Sequence, residues 1–266
     1  MTEEDPTSFS QDEALNYAAA NEAIRKGDVR GLSRLLSENP RLVRIRVVRG
    51  RTLFNQLADW PGHWPRRLES AALLIAAGSD INARAGLRED DETTLQEAIS
   101  CYDNALTELL IEAGAPVDGV DDDRRPMAQA LFYEAREAMK LLVERGATID
   151  LEFAAGLGRV DLIPGFFDEN GELLPSAGTH HPPVSRLEPP AATAPSELLE
   201  QALVYAAITG EVEAAGMLVD RGADVNAEPS GFTHRMPPVT WAENHPEQVE
   251  HLVRRGARRP EPKPEG

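Results

Sequence analysis

Few residues in this 266-residue chain have both the type and the spacing that chemistry requires. The adjacent pair His180-His181, with His63, His234 and His245 elsewhere, offers imidazole nitrogens of the kind that ligate zinc. A zinc site needs further ligands at fixed spacing, and no third histidine or carboxylate stands at helical spacing from the pair. Solvated histidines on a proline-rich loop are the expectation. Gly156-Leu157-Gly158 has the start of a dinucleotide-binding loop but lacks the third glycine and a preceding strand. Cys101 stands where a helix meets its turn, a place for packing and not for a nucleophile. The run Asp121-Asp122-Asp123 lacks the spacing and closing glutamate of a calcium loop. HExxH, GxSxG, P-loop and CxxC motifs are all missing. No catalytic residues, no cofactor and no metal are expected.

Charge narrows the partners. Forty-five acidic residues against 27 basic ones leave a net charge of −18, which disfavours phosphate backbones and anionic bilayers and favours a protein with a basic or neutral surface. The apolar content, 41%, is enough for a packed core. One cysteine excludes an internal disulfide framework and suits a reducing compartment. The opening MTEEDPTSFSQDEA has neither the basic nor the apolar region of a signal peptide, and no apolar run is long enough to span a membrane, so a cytoplasmic protein is expected. Arginine supplies 24 of the 27 basic residues, a usage associated with GC-rich bacterial genomes.

The elements that must position these residues recur along the chain. LLIAAGSDIN (73–82), LLIEAGAPVD (109–118), LLVERGATID (141–150) and MLVDRGADVN (217–226) repeat one pattern, and HLVRRGARR (251–259) keeps it as far as the glycine. Each reads as an apolar helix end, a glycine free to adopt the left-handed conformation that closes a helix, and an Asx residue that turns the chain into an extended finger. The marker glycines, Gly78, Gly114, Gly146, Gly222 and Gly256, are 36, 32, 76 and 34 residues apart, so the long gap conceals one more repeat and an insertion. Upstream of the markers, the small pairs Ala98-Ile99, Ala130-Leu131 and Ala206-Ala207 mark a first helix that packs closely on its neighbours.

This alternation resembles the ankyrin repeat, whose pattern runs TPLHxAAxxG and then LLLxxGAxVN. The carriers are TTLQEAISCY with ELLIEAGAPVD, RPMAQALFYE with KLLVERGATID, and ALVYAAITG with GMLVDRGADVN. The resemblance implies an all-α, ankyrin-like helical solenoid of about seven helix-turn-helix repeats with finger loops. A tail over 1–12 precedes repeats one to five over 13–171. A proline-rich insertion, 172–196, separates these from repeats six and seven over 197–258, and 259–266 is a second tail. The family's histidine is replaced by Asn55, Gln96, Ala128, Glu152, Val204 and Thr240, so its hydrogen bond between adjacent loops must be remade or lost. Pro164 is expected to shorten the second helix of the fifth repeat. Six prolines make the insertion a partly extended or mobile loop, dispensable for folding.

A solenoid of this kind implies a non-catalytic scaffold or adaptor that binds another protein, and a monomer is expected. In ankyrin-like arrays the residue before each small pair faces the concave groove. Here that row is Gln56, Glu97, Gln129, Phe153, Tyr205 and Trp241. Its last three members are aromatic, extended by Phe132 and Tyr133, and form a candidate binding stripe unless the insertion folds back over them or they belong to the core between repeats. Trp60 and Trp64, in an enlarged turn of the second repeat, join the candidates. On the fingers, Asp90, Asp91, Asp122 and Asp123 form a candidate acidic rim, beside an arginine-rich finger bearing Arg41, Arg44, Arg46, Arg49 and Arg51 with which it could instead pair. Two rival functions remain: an enzyme or small-ligand site closed by the insertion with His180, His181 or Asp168 as polar groups, and an acidic inhibitor of a basic target.

Overall fold

Most of the repeated segments fold as two short helices joined by a tight turn. The computed structural model describes residues 7–86, 88, 91–184 and 194–259. Seven pairs follow in order: α1 (Gln11–Lys26) with α2 (Val29–Glu38), α3 (Leu53–Ala58) with α4 (Arg67–Ala76), and α5 (Thr94–Ser100) with α6 (Asn104–Glu112). Next come α7 (Arg125–Phe132) with α8 (Arg136–Glu144), and α9 (Leu151–Gly156) with a 3-10 turn at Ile163–Phe166. The last two are α10 (Pro195–Thr209) with α11 (Val212–Asp220), and α12 (Pro238–Trp241) with α13 (Pro246–Arg254). The described residues form no strand beyond two isolated bridges, Arg84 to Thr93 and Phe167 to Leu173. The fold is the expected all-α set of helical hairpins.

The marker glycines close the second helices through one hydrogen-bond scheme. Gly78 donates to the carbonyl of Ile75 and Ser79 to that of Leu74, and the same offsets recur at Gly114, Gly146, Gly222 and Gly256. Their φ angles lie between 85° and 102°, and a Cβ added at any of the five would meet nothing within 4 Å. Backbone conformation alone demands glycine there. First helices start from polar caps: Thr52 with Asn55 on α3 and Thr93 with Gln96 on α5 form reciprocal capping boxes, and Asp150 caps α9. Pro164 lies within the four-residue 3-10 turn that replaces the fifth repeat's second helix, since a proline has no N–H to continue an α-helix.

The chain forms two compact units that part between the third and fourth hairpins, residues 1–122 and 123–266. In the first, Tyr17, Ile24, Leu32, Leu53, Phe54, Leu57, Leu74 and Leu95 are buried. The core of the second gathers Leu151, Ile163, Leu203, Ala206, Ala207, Leu218 and Leu252, with α9 packed closely on α10. One finger expectation is corrected. Asp80 and Asp224 make the turns, each accepting a backbone N–H two residues on at 2.9 Å. Asn226 instead bridges to the next finger, donating to the carbonyl of Gly256 at 3.1 Å and accepting from the N–H of Arg258 at 2.9 Å.

Candidate interaction site

The first unit presents its most exposed aromatic ring on the enlarged turn between α3 and α4. Trp60 is 81% exposed. The turn beneath it is held: His63 Nε2 lies 2.8 Å from the carbonyl of Cys101, and Gly62 approaches Cys101 closely enough that a Cβ would sit 3.4 Å from its Cβ. Trp64 is half-buried under the guanidinium of Arg25, 5.3 Å from the ring centroid. Arg67, at the start of α4, forms a salt bridge with Asp103, which also caps α6. This fixes the turn at 60–66 against the turn at 100–103. Tyr102, 54% exposed, lies on that second turn with φ of 56°. Gly27, Gly158 and Gly210 hold the same position of their own repeats at φ of 68°, 64° and 77°, and Glu134 holds it in the fourth at 51°. A tyrosine in the left-handed region is strained where a glycine would not be. The alignment of ISCY with AITG already signalled it, yet sequence reasoning passed over it.

The groove row is mostly interior. Gln56, Glu97 and Gln129 are buried, and Arg51 pairs with Glu97 and, at 3.2 Å, with Asp59. Burial pushes the Glu97 carboxyl well above its ordinary range against the pull of Arg51. Cys101 is half-buried and its thiol is pushed up to about 11 by burial, which suits packing. Among the arginines of the preceding finger, Arg41 binds Glu13, and Arg46 donates to the carbonyls of Gly50, Arg84 and Gly86 at 2.8, 2.7 and 2.9 Å. Asp91 is partly buried and accepts from the N–H of Arg88 at 3.0 Å, whereas Asp122 is exposed. Asp123, partly buried, accepts from the N–H of Arg125 at 3.1 Å, and Asp90 lies outside the described residues.

In the second unit two members of the candidate aromatic stripe are interior. Phe153 and Tyr205 are completely buried, and Trp241, Phe132 and Tyr133 are half-buried. Trp241 packs on Phe132 and Phe232, with centroids 5.9 and 5.7 Å apart. What covers Phe153 and Tyr205 is the insertion, which is not the free loop that its prolines suggest. His181 packs on Phe153 with centroids 5.4 Å apart, and the Tyr205 hydroxyl donates to the His181 carbonyl at 2.7 Å. Ala177 and His180 are buried within it. The reason lies in Glu152, which stands where the repeat pattern has histidine. Buried at the start of α9, this carboxylate needs partners. Its Oε1 lies 2.6 Å from His180 Nδ1, and its Oε2 accepts the His181 N–H at 3.1 Å. His181 Nε2 lies 2.9 Å from Asp150 Oδ2. Sequence reasoning weighed the histidines for metal and missed this pairing, although an acid at a core position of the repeat was its signal.

Among the described residues no group of three or more His, Cys, Asp or Glu has a metal-holding arrangement. Asp168, a polar group in the enzyme reading, holds its own loop, accepting the N–H groups of Asn170 at 2.8 Å and Glu172 at 2.9 Å. No helix of the described residues is long and apolar enough to cross a membrane.

No family model matches the sequence, and no curated protein matches it either. Among solved structures, the chain is similar to the human ASB11 ankyrin repeat domain, at 19% identity and a TM-score of 0.46, over 91% of this chain and 99% of that one.

Proposed function

We propose that this chain is a non-catalytic protein–protein interaction scaffold that works as a monomer in a bacterial cytoplasm on a partner with a basic or neutral surface. The observation that carries the reading is Trp60, a large ring left 81% exposed on a turn that its neighbours hold in place. An exposed indole on a fixed turn has little conformational entropy to lose on docking, and tryptophan is enriched among residues that dominate binding energy. The strained Tyr102 on the adjoining turn supports the same edge as the contact surface, and Asp122 supplies an exposed acidic group for steering. The acidic-inhibitor reading is a special case of this one, in which the partner is a basic enzyme.

The test is affinity capture from the native cell with wild-type and Trp60→Ala baits of equal stability. A protein retained by the first and lost from the second supports the reading. Identical retention on both removes the Trp60 edge from the interface, and substrate turnover by the purified chain overturns the scaffold assignment.

A further inference from the structure

The contact between the insertion and α9 has the construction of a built receptacle. His180 is buried between Glu152 on one side and Gly231 on the other, with the Phe232 ring at 5.1 Å and the Tyr205 ring at 6.4 Å. Gly231 has φ of 90°, and a Cβ there would lie 2.0 Å from His180 Nε2. The missing side chain is the space the imidazole fills. A second glycine, Gly178, has φ of 83° and ψ of −154°, a region open only to glycine, and a Cβ on it would stand 2.9 Å from Asp150. Two glycines and two carboxylates thus accommodate one short segment of chain.

We propose that residues 177–182 form a proton-dependent clasp, in which the protonated His180 imidazole holds the insertion over Phe153 and Tyr205, and loss of that proton opens it.

The charge balance around the ring supports this direction. From the start of α9 come Glu152 and Asp150; from α10 come Glu197, held by the N–H of Ser230 at 3.0 Å, and the Tyr205 phenol; the clasp itself adds His181. Burial alone would pull the His180 pKa down, but the charge and hydrogen bond of Glu152 override it, with smaller help from the Gly231 backbone and Glu197, and the net direction is upward from 6.5. A neutral imidazole leaves a solvent-excluded carboxylate without its counter-charge, which low-dielectric surroundings penalise. The closed state binds the proton more tightly than the open one. The His180 contribution to closure is therefore fully present below 6.5 and is lost as pH rises through the raised value, and burial of the Glu152 carboxyl, which raises it from 4.5, adds a dependence of the same sign that begins at lower pH. Opening uncovers two aromatic rings and two carboxylates on one face.

The His181 amide reads the clasp directly, because its N–H is bonded to Glu152 Oε2. Hydrogen exchange of the wild-type chain, expressed as a protection factor so that intrinsic base catalysis is divided out, should show protection at His181 falling about tenfold per pH unit between 6.5 and the raised value. An NMR titration should place the His180 ring above 6.5, while α11 and α13 amides keep their protection. His180→Gln, which retains an amide donor toward Glu152 but cannot be protonated, should lose the pH dependence. A His180 titration at or below 6.5, constant His181 protection, or an unchanged pH profile in His180→Gln would each overturn the proposal. The first two need no variant and stand even where His180→Gln does not fold.

Discussion

The side-chain amide of Asn55 in the second hairpin donates to Thr94 Oγ1 of the third at 3.0 Å and to the Ala83 carbonyl at 2.9 Å. Its oxygen accepts from the Thr52 N–H at 3.1 Å and the Thr52 hydroxyl at 2.9 Å, so a buried asparagine standing where the repeat has histidine is fully bonded. Asn55→Leu leaves the Ala83 carbonyl and the Thr52 cap without these partners and should destabilise the protein by about 2–4 kcal/mol, measured by urea unfolding. Gln248 is the converse, buried with neither amide atom bonded. Gln248→Met should raise stability by about 1 kcal/mol in the same assay, since it removes desolvated polar atoms at nearly constant volume.

Tyr102 tests whether backbone strain is retained on the exposed edge. Glycine at this position should relieve the left-handed conformation and stabilise the chain by about 1 kcal/mol, net of the entropy glycine loses on folding. The reverse change at the matching site, Gly210→Ala, should cost more, because its Cβ would also lie 2.6 Å from His245 Nδ1. Thermal melts of the two variants should move in opposite directions. A destabilised Tyr102→Gly would mean that the tyrosine side chain contributes more to the fold than its conformation costs.

The hairpins were legible because the glycine that ends each second helix has a conformational cause that sequence carries directly. The capping boxes at Thr52 and Thr93 are similarly local, three residues from donor to acceptor. Glu152 with His180 was not legible in that way, since 28 residues separate them and proline content argued for a loose segment. The stronger signal was energetic: a carboxylate at a core position of the repeat requires a counter-charge, and His180-His181 offered one nearby in the sequence. For the aromatic row the sequence left two readings open, a surface stripe or rings covered from within the chain, because repeat period does not report which other segment lies over a position; the burial of Phe153 and Tyr205 under His181 fits the second.

Glu97 gives the first unit its own pH response. Its carboxyl ionises near 4.5 in the unfolded chain and at higher pH in the fold, where burial is the largest cause and one oxygen has no hydrogen-bond partner. Over that interval the native state holds the extra proton, so stability falls as pH rises, by at most about 1.4 kcal/mol per pH unit, and is not regained above it. Glu97→Gln should flatten the acid side of the stability profile while Arg51 keeps its pairing with Asp59. Urea midpoints from pH 4 upward decide the matter: a variant with the wild-type slope would assign the dependence to other groups.

Surface and core aromatics can be separated on one set of purified variants. Phe153→Ala removes a fully buried ring beneath His181 and should cost about 3–5 kcal/mol, whereas Trp60→Ala should stay within about 0.5 kcal/mol of wild type. Replacing 174–195 by a short linker removes His180 and His181 and uncovers Phe153 and Tyr205, so the deletion should destabilise the chain and expose apolar surface to a dye such as ANS. A deletion as stable as wild type would return Phe153 and Tyr205 to the groove surface that their position in the repeat implies.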